Sequence, residues 1–355
     1  MFVSLCLLYL VVFVFSLNDV FTVRANFKKT IYFFLSFGVA IFSFFIFDKI
    51  PATDIINYVD NFYSLSSIRD LVDGTNQGGK GFEIGFNLVN CFLKVFINDA
   101  IFAMGLIVLF CVLGIAFQLH RYTQLWFIAL LVYIGHFWGW NGLILFRQTI
   151  ALIILFPLLK WIPEKKYFRA ILLILLASLF HASSLIYLLM FPLYRILQNN
   201  KILILAIVAS FLIGYFGIIP RFMIMISEHV PRGDVFLELY ILNAGKGINW
   251  LSYVVMLSVL GIAVFFKQTL LQNHKYIEIA IIYLSFAIIL AGLFQQFEVV
   301  MRFVMSFNFY AYIILLPAFI YILKNNWRNR LIYVSVLGTY LMLFYVRFFY
   351  ILDKY

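Results

Sequence analysis

Apolar runs of about 17 to 22 residues, closed by short polar or basic connectors, recur along almost the whole chain. At a helical rise of about 1.5 Å per residue, one such run crosses the roughly 30 Å hydrocarbon core of a bilayer. On this reading spans are predicted over 1–17, 30–47, 98–118, 123–139, 143–162, 202–219, 250–266, 276–293, 302–323 and 331–350. Lipid offers backbone N–H and C=O groups no partners, so each span has to satisfy its own as a helix. The expected fold is therefore all-α: a polytopic integral membrane protein with roughly ten transmembrane helices plus re-entrant or interfacial helices, in a single membrane domain over 1–355. Trp126, Trp138, Trp140, Trp161, Trp250 and Trp327 fall near span ends, as an interfacial belt requires.

Two segments do not fit the regular pattern. Residues 170–193 are apolar and long enough to span, but His181, Ser183 and Ser184 sit in their middle. If this segment spans, every later connector changes side and Lys324, Arg328 and Arg330 face outward. A re-entrant pair of half-helices turning near residues 180–184 keeps the basic connectors together, and is the reading we prefer. Residues 83–96 are apolar with Asn87, Asn90 and Lys94 interspersed, which points to an interfacial or re-entrant helix.

Composition reinforces the membrane reading. Hydrophobic residues make up 65% of the chain and charged residues 12%, too few charges to keep a soluble domain's surface wet. The net charge of +11 could otherwise point to nucleic acid, but its placement says orientation instead. Fifteen of the 26 Lys and Arg residues lie in the short connectors 24–29, 121, 160–169, 195–201, 267–275 and 324–330. These read as cytoplasmic loops. The long connectors 48–83 and 220–249 lack that bias and are placed outside, as is Met1, whose run lacks the basic start and small-residue cleavage site of a secretory signal.

Candidate chemistry is sparse. Cys6, Cys91 and Cys111 show no paired spacing, the five histidines form no metal-binding pair, and no phosphate-binding glycine loop occurs. No cofactor is implied. Charges inside apolar runs are costly and usually face a cavity, a partner or a ligand. Arg147 follows the Asn141-Gly142 turn by about six residues, roughly 9 Å along a continuous helix. Arg302 opens a late span, with Glu298 four residues before it on the same helical face. Arg347 lies near the end of the last span. Each arginine has a structural alternative: an ion pair for Arg302, a carbonyl or carboxylate partner for Arg147. His181 either ties a turn together or moves a proton, since imidazole titrates near neutrality. Asp54 and Glu83 could simply be solvated loop carboxylates or helix N-terminal charges. His136, beside Trp138 and Trp140, reads as interfacial.

The order of these features resembles the EpsG family of polysaccharide polymerases, close to the Wzy-type O-antigen polymerases. The likeness rests on Asp54-x3-Tyr58, Glu83-Ile-Gly85-Phe86, F-R-Q-T-I-A-L at 146–152, the basic turn P-E-K-K, A-S-L-F-H-A-S-S-L at 177–185, and M-R-F at 301–303 heading a span that ends in Pro317. It covers about residues 50–325. It implies a membrane glycosyltransferase of the bacterial plasma (inner) membrane, active at the outer face, that joins undecaprenyl-pyrophosphate-linked oligosaccharide repeat units into O-antigen, capsule or exopolysaccharide. Arg147, Arg302 and Arg232 (in the outer loop, at P-R-G-D-V-F-L-E-L-Y) would then hold the pyrophosphate without a metal, as planar arginine forks can. His181, Glu83 and Asp54 would supply proton transfer or sugar contacts. Partners would be the lipid-linked oligosaccharides, the bilayer, and a chain-length regulator and flippase of the same pathway, with no nucleic acid. Two other readings stay open. A lipid-linked sugar flippase or transporter would show internal repeats with charges in both leaflets, and an acyltransferase acting on the same glycan would need a His/Arg arrangement at the inner entry.

Overall fold

The computed structural model describes residues 2–21, 25–65, 82–219, 221, 250–295, 297–323 and 326–352, apart from the side chains of 25, 26, 298, 299, 351 and 352. Arg232 and the Glu298 side chain lie outside this set, as do most of the two long connectors. Helices are the only regular secondary structure among the described residues, with no strand among them. The chain divides into two compact units. The first comprises residues 1–161, 166–188 and 323–355, and the second residues 162–165 and 189–322.

In the first unit the helices are α1 (Phe2–Ser16), α2 (Ala25–Ile46), α3 (Thr53–Ser64), α4 (Ile84–Lys94), α5 (Ala100–Tyr122), α6 (Trp126–Val132), α7 (Phe146–Leu155), α8 (Leu158–Trp161) and α9 (Tyr167–Ser178). A wide π-helical stretch, Tyr133–Gly142, continues α6. Every residue of α6 from Phe127 to Val132 is buried, which makes it the unit's central helix. Its start is fixed by Asp19: the carboxylate accepts the Phe127 and Ile128 N–H groups at 2.9 Å each and pairs with Lys28 at 2.6 Å. A negative charge there satisfies N–H groups that have no partner within the helix. α2 lies against α5, where Tyr32 donates to the Ala116 carbonyl at 2.8 Å.

The second unit holds α10 (Met190–Ile196), α11 (Asn200–Tyr215), α12 (Trp250–Phe265), α13 (Lys267–Asn273), α14 (Ile277–Leu293) and α15 (Glu298–Ala318). Here α14 is central, with 14 of its 17 residues buried. α11 approaches it so closely that a Cβ on Gly292 would meet Ser210 Oγ at 2.7 Å, and one on Gly214 would meet the Gly292 carbonyl at shorter range still. The last helix, α16 (Trp327–Leu352), returns to the first unit and packs on the π-helical stretch.

Five helical segments among the described residues are long and apolar enough to cross a membrane: Phe2–Asp19, Phe27–Lys49, Ala100–Tyr122, Val300–Ile322 and Trp327–Tyr350. A sixth arises if α12 and α13, bent by 77°, count as one span. The other hydropathy runs are interrupted or short. The run predicted over 143–162 breaks into α7 and α8 around Phe156-Pro157, as a proline removes an N–H and crowds the preceding turn. The segment 170–193 is not one continuous helix either. α9 stops at Ser178, and a 3-10 stretch, Ala182–Leu189, begins after His181. At twelve residues α9 is about 18 Å long, well short of a bilayer core.

Candidate functional site

The site is built on the helix breaks of the first unit. α7 starts after a short non-helical link, Ile144–Leu145, in which the Leu145 N–H reaches back to the Trp140 carbonyl at 2.7 Å. Arg147 therefore heads a helix, instead of sitting six residues along one as the turn spacing implied. Its guanidinium stands at the positive end of α7, where anions are favoured. α9 packs alongside α7.

Glu83 occupies the position preceding α4 and draws three segments together. One carboxylate oxygen pairs with Arg147 Nη1. The other accepts the Ala182 backbone N–H at 3.0 Å, and His181 Nδ1 lies 3.5 Å from it. All three side chains keep 18–19% exposure, so the cluster is recessed yet open. Burial pushes the Glu83 carboxyl up. The facing imidazole of His181, the Ala182 N–H, the residue's own backbone N–H and the Arg147 charge outweigh it and hold it at about 2. Arg147 and Ala182 have the tighter geometry of these partners. Glu83 is thus ionised at any physiological pH.

Aromatic rings shape the guanidinium's seat. Arg147 lies 4.2 Å over the Phe82 ring and 5.8 Å from that of Tyr58, whose hydroxyl it also bonds. Tyr58 in turn stacks on Phe146 at 4.8 Å and tilts against Phe82 and Phe86. Stacking fixes the plane of the guanidinium, and Arg147 Nε, buried, has no hydrogen-bond partner among the described residues.

Gly85 makes the arrangement possible. Its N–H donates to the Leu179 carbonyl at 2.7 Å, and a Cβ at this position would stand 2.7 Å from that same oxygen. No other residue lets the start of α4 close onto the end of α9. That contact sets Glu83 opposite Ala182.

Of the residues singled out from the sequence, Glu83, Arg147 and His181 come together. Asp54 begins α3, one turn before Tyr58, and makes no hydrogen bond to the cluster among the described residues. Arg302 is exposed in the first turns of α15, in the second unit. Two contributors were missed as site residues: Phe82, whose only signal was its place beside Glu83, and Tyr58, whose signal was the Asp54-x3-Tyr58 spacing.

These features define a polytopic, all-helical membrane protein with a recessed carboxylate–guanidinium–imidazole cluster at its helix breaks. The chain belongs to the EpsG family, whose model matches residues 31–355 and so includes every residue of the cluster. Its members are membrane proteins of the Wzy-type, polysaccharide-polymerase-like kind. No curated protein and no solved structure matches the chain.

Proposed function

We propose that this protein is a glycosyltransferase that joins oligosaccharide repeat units carried on undecaprenyl pyrophosphate, working at the outer face of the bacterial plasma membrane. The observation that carries this reading is the convergence of Glu83, Arg147 and His181 from three distant segments onto one recessed cluster. In the reaction the acceptor hydroxyl attacks the anomeric carbon of the donor unit, and the bond from that carbon to the pyrophosphate oxygen breaks. Two needs arise: a base for the hydroxyl proton and positive charge for the departing pyrophosphate.

His181 is assigned as the base. Glu83 faces its Nδ1, which leaves Nε2 to take the proton, the division of labour by which a carboxylate orients a catalytic imidazole. Glu83 itself is a weak base, because its charged form is held by Arg147 and Ala182. We assign it the orienting role. Arg147 meets the pyrophosphate with the donors that Glu83 does not occupy. Before transfer, neutral His181 and the Glu83–Arg147 pair sum to zero charge. Afterwards the imidazolium makes the cluster positive just as the leaving group becomes negative. Asp54 is proposed to contact sugar hydroxyls, and Arg302 and Arg232 to contact phosphate.

Orientation follows the basic connectors, with 160–169 and 324–330 inside. The shorter apolar helices complete the crossings, to about ten passes. Cysteine introduced at Asn326 should resist labelling from outside the cell, and labelling there would overturn this orientation. The function is tested by the surface glycan of a deletion strain on a gel. A ladder reduced to one repeat unit supports the polymerase, whereas complete loss of the glycan points to a flippase.

A further inference from the structure

α4 is amphipathic the inverse way round. Ile84, Leu88 and Phe92 form an outward apolar stripe, 40–61% exposed. Asn87 and Asn90 are turned into the protein, in register with Glu83 before them and Lys94 after them. The spacing 83, 87, 90, 94 keeps these four on one helical face. That face meets α3, which lies parallel to α4: Tyr58 stands opposite Phe82 and Phe86, Asn61 opposite Asn87, and Leu65 opposite Lys94. Lys94 closes the far end by donating to the Phe62 and Tyr63 carbonyls at 3.0 and 3.2 Å and to that of Leu65.

The orientation of the amides between these ends is forced. The Phe82 carbonyl only accepts, so Asn87 must turn its NH2 toward it, at 3.2 Å. Asn87 Oδ1 then faces Asn61, whose NH2 donates to it at 3.0 Å. Asn61 Oδ1 is left needing a donor. Asn90, fully buried one turn further along, has neither its NH2 nor its Oδ1 bonded, and Asn61 Oδ1 has no partner either. One acceptor, one donor and a second acceptor, all uncharged and closed from solvent, match the bonding capacity of a water molecule, which typically takes about three partners when buried.

We propose that Asn61 and Asn90 form a hydration site, whose bound water bridges α3 to α4 and positions Glu83. Through Asn87 the same layer holds the Phe82 carbonyl, and the Phe82 ring carries the Arg147 guanidinium. The hydration site does not depend on the proposed activity. Its consequence for Glu83 does rest on that reading.

The test is Asn90→Leu, nearly isosteric, in the purified full-length protein. A bridging water makes Asn90 stabilising, so the thermal midpoint falls by roughly 2–4 °C or more. If the amide is unbonded, its removal relieves a desolvation penalty and the midpoint rises, which overturns the site. Asn90→Ser, which keeps a hydroxyl, should fall between wild type and Leu, and a midpoint at or above wild type is again fatal. This milder variant decides the matter if Asn90→Leu does not accumulate. For the positioning role, the acid dependence of stability, to which the depressed Glu83 carboxyl contributes, should move to higher pH in Asn90→Ser, as Glu83 loosens from its partners. An unmoved acid dependence with a lowered midpoint leaves the water and removes the positioning role. A lowered midpoint in a protein whose wild type builds no polymer leaves the water and removes the proposed function.

Discussion

Each unit contains a carboxylate paired with a cation at helix ends, and the two pairs differ in what surrounds them. In the second unit Glu278, in the first turn of α14, accepts from Lys267 at 2.9 Å, Tyr194 at 3.0 Å and Gln198 at 3.2 Å. Those donors come from α10 with the turn after it and from α13, so the carboxylate braces both against its own helix, α14. In the first unit Glu83 also joins three segments, but one partner is an arginine stacked on aromatic rings and another is a histidine with a free edge. A buried ion pair by itself is poor evidence of function or of stability. What separates a site from a brace is the chemistry still available once the pair has formed. The brace ends in lysine and neutral side chains. The cluster ends in a planar fork and an imidazole.

The sharpest way to break this comparison is at Arg147. Arg147→Ala should lower polymerisation by about 10²–10³, as expected for losing a charge-stabilising donor. Arg147→Lys should do nearly as badly, because lysine offers no planar fork. Full-length glycan from either variant at normal protein level would make Arg147 a brace like Lys267. His181→Gln comes next, with a loss of about 10² while the protein accumulates normally. Long chains from His181→Gln place the base elsewhere.

Gly85→Val tests the contact that assembles the cluster. The new side chain runs into the Leu179 carbonyl, and roughly 1–3 kcal/mol of stability should be lost in denaturant titration, with activity falling in step. A neutral Gly85→Val would mean that α4 and α9 can part without consequence. The pH dependence is milder. The folded Glu83 carboxyl is depressed from its ordinary 4.5 to about 2, so its contribution to stability is complete above about 4.5 and fades as pH falls toward 2. Glu83→Gln should abolish that part of the acid dependence, and an unchanged acid profile would count against the pair. The smallest effect is expected at Glu278→Gln, about 1 kcal/mol of stability with glycan length unchanged. A shortened ladder there would erase the distinction between the two pairs.

Much of this was legible in the residues. The apolar runs at 30–47, 98–118, 302–323 and 331–350 correspond to long helices, because hydropathy and helix length are local properties. The break near His181 was also readable, from polar residues in the middle of an apolar run. Less legible was how the runs at 123–139 and 143–162 would be subdivided. A π-helical stretch and a non-helical link follow from how Trp138, Gly139 and Gly142 fit among neighbouring side chains, and not from hydropathy.

The sequence alone pointed to an all-helical membrane protein resembling the EpsG family, and put Glu83, Arg147 and His181 among the residues to watch, together with Asp54, Arg302 and Arg232. Only the tertiary structure decided that the first three meet. Glu83 is 64 residues from Arg147 and 99 from Ala182, distances that no periodicity spans. Their meeting depends on the glycine-thin approach of Gly85 to Leu179 and on the rings beneath Arg147. Tertiary structure likewise decided which donors face Glu83, and its proposed orienting role rests on them. A carboxylate's basicity is set by the donors packed around it, and those donors come from parts of the chain that are adjacent only after folding.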